Sequence, residues 1–391
     1  MAKSKAEFDI VVYGASGFTG RLVAEYLAKR GIRRWAMAGR STAKLAEVRD
    51  LIGAPKDTPL VEADASEPKT LTAMCKRARV IITTVGPYQL YGPELVKACA
   101  ETGTDYVDLC GEPAWMRQMI DAHDATAKKS GARIVFSCGF DSIPFDLGVW
   151  FLEREAIRRH GKPAPRVKGR VRKMQGGASG GTIASLTETM KAAAKDPRII
   201  GLLRSPFALT PGFEGPSQPS GMIPEYDNAT GTWTAPFVMA AINTKNVHRS
   251  NFLLGHPYGK DFTYDEMVMT TIGDAGKAIA EGIATALKSA NPFGEGPQPK
   301  PGEGPSAEQR EAGFYDILFI GEYPDGASVR ASVSGDRDPG YGSTSKMIAE
   351  SALTLLENDT PGGVVTPGAI IATPLIERLQ AHAGLAFTIE G

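Results

Sequence analysis

The sequence predicts an α/β chain in which a doubly wound parallel sheet occupies residues 1–150 and a second, mixed α+β domain spans residues 151–340, with a helical return over 341–391. Three observations carry this. An almost wholly apolar strand, Phe8-Asp-Ile-Val-Val-Tyr13, breaks into the glycine turn Gly14-Ala-Ser-Gly17-Phe-Thr-Gly20, which opens an amphipathic helix. Strand and helix signals then alternate to about residue 140. From about residue 160 the rhythm changes, and Pro165 to Met174 alternates polar and apolar as a half-exposed antiparallel strand does.

The first strand is apolar on both faces, as a parallel strand covered by helices must be, and Leu22, Val23, Tyr26 and Leu27 recur at helical spacing after the turn. A glycine turn at a helix N-terminus lets backbone N–H groups approach a pyrophosphate, so Gly14, Ser16, Gly17, Phe18, Thr19 and Gly20 are candidate dinucleotide contacts. The spacing departs from G-x-G-x-x-G, because Ser16 and Thr19 stand where that pattern has its second and third glycines. The second strand, Trp35 to Gly39, leads into Arg40, Ser41 and Lys44. An acid there would hydrogen-bond a ribose 2′-hydroxyl and select NAD, whereas these three suit a 2′-phosphate, so the expected cofactor is NADP(H).

The strand Leu60 to Ala63 ends in Asp64, placed to accept from an adenine amino group. Arg79 to Val85 runs into Gly86-Pro87-Tyr88, where the chain can pass close to the nucleotide. Asp105 to Cys110 ends in Gly111-Glu112. Ala132 to Cys138 ends in Gly139-Phe140-Asp141, where Asp141 reads as the N-cap of a helix carrying Ile143, Leu147, Val149 and Trp150. Ligands of open parallel sheets bind beyond the carboxyl ends of the strands, so these termini should line one crevice.

Lys and Arg (44) balance Asp and Glu (44), which speaks against a nucleic-acid partner. No run of some 18 apolar residues predicts a membrane span, and Met1-Ala-Lys-Ser-Lys5 lacks the apolar core of a signal peptide, so a cytoplasmic protein is expected. Cys75, Cys99, Cys110 and Cys138 lie in or beside apolar runs and read as reduced thiols. The five histidines are scattered, and no metal site is expected.

In the second domain, Gly176 to Thr182 forms a glycine loop suited to an anion or to close backbone approach. A Pro/Gly-rich span, Leu209 to Pro224, reads as a long loop of the kind that covers sites. Thr263 to Ala290 has helical character, Asn291 to Pro305 reads as a loop, and Pro324-Asp-Gly326 marks a hairpin. Met347, Ile348, Ala352 and Leu355 form one stripe of a helix expected to pack back on the first domain.

Gly14 to Gly20, Ala38-Gly-Arg-Ser41, Thr84-Val-Gly-Pro-Tyr88, Tyr106-Val-Asp-Leu-Cys-Gly-Glu112 and Gly139-Phe-Asp-Ser-Ile-Pro144 resemble the saccharopine dehydrogenase-like oxidoreductases. The second half is similar to a narrower branch, the bacterial trans-acting enoyl reductases, through Pro236 to Thr244, Arg249-Ser-Asn251, Gly335 to Gly342 and Gly362 to Pro367. The resemblance implies a Rossmann-type NADPH domain, a mixed α/β substrate domain, and hydride transfer to a conjugated C=C bond of an acyl chain.

Such chemistry needs a proton donor in the cleft. Tyr88, which follows a cofactor-facing turn, ranks first, and Asp141, Tyr341 and His248 are the other candidates; Asn243, Arg249 and Asn251 are candidates to hold a substrate carbonyl or carboxylate. The leading reading is an NADPH-dependent enoyl reductase on an acyl, lipid-like or carrier-bound substrate, with a homodimer as the expected assembly on base rates. One alternative is C=N reduction of an amino-acid-like substrate, which needs clustered basic residues; Arg170, Arg172, Lys173 and Arg249 are available, but alternation puts the first two on an exposed strand face. The other is a non-catalytic NADPH-binding module.

Overall fold

The computed structural model describes residues 6–176, 180–288 and 303–391, with side chains of 180–183 left aside. Two seven-stranded sheets organise it. The first comprises β1 (Phe8–Tyr13), β2 (Trp35–Gly39), β3 (Leu60–Glu62), β4 (Ala78–Thr83), β5 (Asp105–Val107), β6 (Arg133–Val135) and, from the far end of the chain, β13 (Gly363–Val365). The second comprises β7 (Arg166–Gln175), β8 (Glu225–Asp227), β9 (Thr232–Pro236), β10 (Thr263–Met269), β11 (Phe314–Glu322), β12 (Ser328–Gly335) and β14 (Leu385–Glu390).

The first sheet runs β13-β6-β5-β4-β1-β2-β3 with every pairing parallel. Ile10 is in register with Trp35 on one side and Val80 on the other. Along β1, Ile10 and Val12 enter one apolar cluster while Val11 and Tyr13 enter another, which is why the strand carries no polar face. The chain leaves β1 toward β2 and later returns to β4 on its other side, so a crevice opens beyond the carboxyl ends of β1 and β4. This is the doubly wound α/β architecture that the sequence predicts.

The second sheet runs β14-β12-β11-β7-β10-β9-β8. Here β7 is central, antiparallel to β11 along its length as the alternation predicts and also parallel to β10, with Lys173 to Gln175 exposed; the burial of Arg170 is what corrects the expectation. Its charged face is covered because the turn after β8 folds back over the sheet: Asp227 reaches Arg170, and Arg330 donates to Ala229 O at 2.8 Å. Thr263 to Met269 is strand β10 rather than helix; the helix Gly273–Lys288 starts only afterwards. The hairpin at Pro324-Asp-Gly326 joins β11 to β12. Leu209 to Pro224 contains no helix or strand. Residues 177–179 of the glycine loop, and 289–302 of the Asn291 to Pro305 loop, lie outside the described residues.

The C-terminal stretch does more than return helices. Its helix Thr344–Glu357 packs on the helix Phe18–Lys29 and on β4, but β13 extends the first sheet and β14 the second. Two helices join the halves. In the helix Ile143–His160, a Cβ at Gly148 would meet the Phe319 ring at 2.4 Å, so glycine there allows the helix to lie flat on β11. The helix Ala240–Leu253 packs against it and against β10, and its Asn243, Asn246, His248, Arg249, Ser250 and Asn251 are all buried. Most of these polar groups find partners, while Asn243 Oδ1, Asn246 Oδ1, His248 Nε2 and Arg249 Nε have none among the described residues.

Candidate cofactor and substrate cleft

The turn after β1 is shaped by contacts that tolerate no side chain. Gly14 has φ +89°, and a Cβ there would meet Val85 Cγ2 at 2.8 Å and Thr84 Oγ1 at 2.9 Å; at Gly20 a Cβ would stand 2.1 Å from Gly14 O. The outer glycines thus seat the turn against the end of β4. Gly17 is the N-cap of the helix Phe18–Lys29, with no side-chain cap bond and no acid in the first turn. Ser16 and Gly17 are exposed. An uncapped helix N-terminus open to the crevice fits a pyrophosphate.

Phe18 is used differently. Its ring meets Tyr341 edge-on with centroids 5.2 Å apart and lies 5.6 Å from the guanidinium carbons of both Arg21 and Arg310. Its side chain therefore fastens the C-terminal segment to the nucleotide domain. Thr19 is half-buried beside it.

At the end of β2, Arg40 is exposed and has no hydrogen-bond or ion-pair partner among the described residues. Ser41 caps the next helix, its Oγ accepting from Lys44 N at 3.3 Å, and the Lys44 ammonium is exposed. Ser16 Oγ lies 3.7 Å from the ideal Cβ position of Gly39, so the glycine turn overhangs this corner. Asp64 is the neighbouring group. Hydrogen bonds from Ser66 N (2.9 Å) and Ser66 Oγ (2.8 Å), then the Arg40 charge, hold its carboxyl below the usual range. An unpaired guanidinium beside an exposed ammonium fits a phosphate monoester.

Gly86 is exposed, while Pro87 and Tyr88 turn inward. Tyr88 N and Gln89 N donate to the two carboxylate oxygens of Glu112 at 2.8 and 2.9 Å. The Tyr88 hydroxyl accepts from Leu109 N at 3.1 Å and donates to Thr83 O at 3.4 Å. Burial above all, with Asp108 and Cys110 nearby, pushes this phenol well above its usual value. The proton-donor expectation for Tyr88 is corrected accordingly: the hydroxyl is spent on backbone at the ends of β4 and β5.

Asp141 follows β6. It is not the expected N-cap, since the helix begins at Ile143 with Ser142 in the cap position and no side-chain cap bond. The Asp141 carboxyl has no hydrogen-bond partner among the described residues; Oδ2 stands 3.7 Å from the ideal Cβ position of Gly111, and burial pushes the group up to about 7. Next to it, Ser142 Oγ accepts from Asn246 Nδ2 at 2.9 Å. One turn earlier on the same helix, Asn243 Nδ2 donates to Glu266 Oε2 at 2.9 Å, and the Tyr264 hydroxyl donates to Glu266 Oε1 at 3.0 Å. Burial first, then the charges of Asp265 and Asp141, pushes Glu266 up to about 8.

The remaining candidates serve the scaffold. Both terminal nitrogens of Arg249 donate to carbonyls, Leu209 O of the long loop and Val364 O of β13. Asn251 closes a turn, its Nδ2 donating to Gly259 O at 2.8 Å and its Oδ1 accepting from Tyr258 N at 3.0 Å. Of the three proposed substrate contacts, only Asn243 is brought to the Asp141 region. His248 is flanked by Phe207 and Phe262, and burial pushes it down to about 3, so the ring is neutral near pH 7 and offers no imidazolium proton. Sequence reasoning missed Ser142, Asn246, Tyr264 and Glu266. The alternation of Tyr264 and Glu266 along one strand face was the available signal, obscured by reading that stretch as helix.

The expected exposed arginines are buried or half-buried in ion pairs on the outer face of the second sheet: Arg170 with Asp227 (2.7 Å) and Asp265 (2.9 Å), Arg172 with Asp316 (2.8 Å) and Glu390 (2.7 Å). Glu266 is in register with Gly169, so its side chain lies on the opposite face from Arg170. No helix among the described residues is long and apolar enough to cross a membrane.

Residues 10–135 match the family model of the saccharopine dehydrogenase NADP binding domain. A relative from Mycobacterium tuberculosis is 43% identical over 408 residues, covering 97% of each chain. The trans-acting enoyl reductases of Mycobacterium leprae and Mycobacterium ulcerans are each 40% identical, again over 97% of both chains. Among solved structures, the apo saccharopine dehydrogenase (L-Glu forming) of Saccharomyces cerevisiae has the same fold, with a TM-score of 0.56 at 12% identity and coverage of 98% of this chain and 100% of that one. With an NADP-binding domain in its first third and relatives matched along nearly its whole length, the chain belongs to the saccharopine dehydrogenase-like oxidoreductases, in the branch of the trans-acting enoyl reductases.

Proposed function

We propose that this protein is an NADPH-dependent enoyl reductase acting on an acyl or carrier-bound substrate, with Asp141 as proton donor. One observation carries the reading: the Asp141 carboxyl, half-buried and without a hydrogen-bond partner among the described residues, follows β6 and lies beside Gly111, just past the end of β5, and burial pushes it up to about 7. The turn Gly14 to Gly20 would hold the pyrophosphate at the uncapped helix end, Arg40, Ser41 and Lys44 the 2′-phosphate, Asp64 the adenine edge, and Gly86 and Pro87 the wall beside the nicotinamide half. When bound, the coenzyme supplies a hydride for the β-carbon of the enoyl group.

The protein's part is positional and protic. Asp141 keeps a proton on a carboxyl oxygen near neutrality and can release it to the acyl α-carbon; the O–H bond breaks, a C–H bond forms, and the carboxylate regains its proton from solvent. The enoyl reading is favoured over C=N reduction because the arginines available to bind several substrate carboxylates are engaged elsewhere, Arg170 and Arg172 in ion pairs and Arg249 on carbonyls. Names borne by relatives at 40% identity support the same choice.

The test is NADPH oxidation by the purified protein offered three partners separately: an α,β-unsaturated acyl thioester, its saturated counterpart, and a 2-oxo acid with an amine. Oxidation with the first alone is expected. Turnover only with the oxo acid and amine would establish the imine alternative, and no turnover with any would leave a binding module.

A further inference from the structure

We infer that the first turn of the helix Ala240–Leu253 and the Lys245 ammonium folded back onto it form an anion seat at the edge of the cleft, which takes a phosphate or carboxylate group of the substrate or its carrier arm. Assigning the anion to an enoyl substrate rests on the reading above; the seat itself does not.

Lys245 is only 4% exposed, and its Nζ makes one hydrogen bond, to Ala241 O in the preceding turn of its own helix at 2.9 Å. An ammonium has three N–H groups, so two are left without an acceptor among the described residues. No Asp or Glu pairs with it there, and burial alone pushes the group down to about 8, so it still carries its charge at neutral pH. An enclosed cation without a counter-ion is costly unless an anion joins it.

The helix supplies matching donors. It is 14 residues long, Met239 stands at its N-cap without a side-chain cap bond, and its first turn holds no acid. Ala240 N donates to Phe237 O, and Ile242 N and Asn243 N donate to Met239 O, but Ala241 N has no partner among the described residues. Val238 and Ala241 are exposed, so this end of the helix opens to solvent while the Lys245 side chain is enclosed. The positive end of the helix and a lysine point charge attract the same oxyanions.

The seat adjoins the crevice. Ile242 is buried in the apolar cluster that contains Tyr88 and Trp115 of the first domain, and Asn246, next to Lys245, holds Ser142 beside Asp141. Ala241 and Asn246 stand about 7.5 Å apart along the helix axis. The phosphates of the coenzyme are assigned to Gly14 to Gly20 and to Arg40, Ser41 and Lys44, so an anion here comes with the other ligand.

Two measurements decide. With NADPH saturating, so that the coenzyme seats are filled, calorimetry with inorganic phosphate and, separately, with acetate reads the seat in the unaltered protein and in Lys245→Met. At least one of the two anions should bind, about tenfold or more weakly in the variant. Methionine keeps an apolar stem and removes a lone buried charge, so the variant should melt no lower than the unaltered protein. Equal affinity for both anions in the two proteins, absence of binding included, would overturn the inference. Three thioesters of one enoyl group then identify the source: on a pantetheine arm bearing a phosphate, on the same arm without it, and on the latter with a carboxylate at the far end of the acyl chain. Lys245→Met should lower kcat/KM for the phosphate-bearing or the carboxylate-bearing compound by about tenfold or more relative to the neutral one. A fall shared equally by all three, or no fall, would overturn the assignment of the anion to the substrate. A protein that reduces no thioester would sink the enoyl reading, while the titration still decides the seat.

Discussion

Asn246 Nδ2 donates to Ser142 Oγ at 2.9 Å, so the second domain holds the residue next to Asp141. This bond spans 104 positions of sequence and is buried at both ends, where a neutral hydrogen bond contributes about 1 kcal/mol and an orphaned partner costs more. A double-mutant cycle of Asn246→Ala and Ser142→Ala on thermal stability should show a coupling of roughly 1 kcal/mol. Both single variants should lose turnover while keeping NADPH affinity. Strict additivity would mean that the contact does not fasten the loop.

Replacing Asp141 by Asn keeps the shape and removes the proton. The expected loss in turnover is about 10²-fold or more, with NADPH binding retained. Because the donor must be protonated, the activity of the unaltered protein should fall as pH rises past about 7. Rising activity over that interval would exclude Asp141 as acid.

Glu153 gives a stability prediction separate from the cleft. Its Oε2 accepts from Ala164 N at 2.9 Å, Oε1 is buried without a partner, and burial pushes the carboxyl from 4.5 up to about 8. Between these values the folded chain binds a proton that the unfolded chain has lost, so this stabilisation is complete below about 4.5 and disappears as pH rises through about 8. Glu153→Gln keeps the oxygen for Ala164 N and cannot ionise. Its melting temperature should exceed that of the unaltered protein at pH above 8, by the equivalent of about 1–3 kcal/mol, and approach it at pH 5.

Gly20→Ala tests the turn. The added methyl would stand 2.1 Å from Gly14 O, so the backbone must open. A loss of roughly 1–3 kcal/mol in stability and at least about tenfold in NADPH affinity is expected, read by thermal melting and calorimetry. Unchanged affinity would show that the turn does not shape the nucleotide seat.

The first domain was legible because its signals are local. Ile10, Val12 and Tyr13 show a strand covered on both faces, and Gly14 to Gly20 announce the turn that follows. The substrate side depends on contacts between residues far apart in sequence. Nothing near Arg249 indicates that Leu209 O and Val364 O will accept from its donors, and nothing near Tyr88 indicates that Leu109 N will donate to its hydroxyl. Arg170 was misplaced because strand alternation reports which residues share a face, but not whether a turn such as that after Asp227 folds over it. Asp141 was singled out by its position at a strand end, as a helix cap and as a candidate proton donor; the cap position falls to Ser142, whose side chain makes no cap bond.

The central claim is that the turn after β1 seats a nucleotide and that Arg40 selects the form bearing the extra phosphate. Isothermal titration of the purified protein with NADPH and NADH, alongside Arg40→Asp, tests it most directly. NADPH should bind at least about tenfold more tightly than NADH, and the exchange should abolish or reverse that preference. Equal affinity for both coenzymes in the unaltered protein, or an NADPH preference untouched by Arg40→Asp, would contradict it.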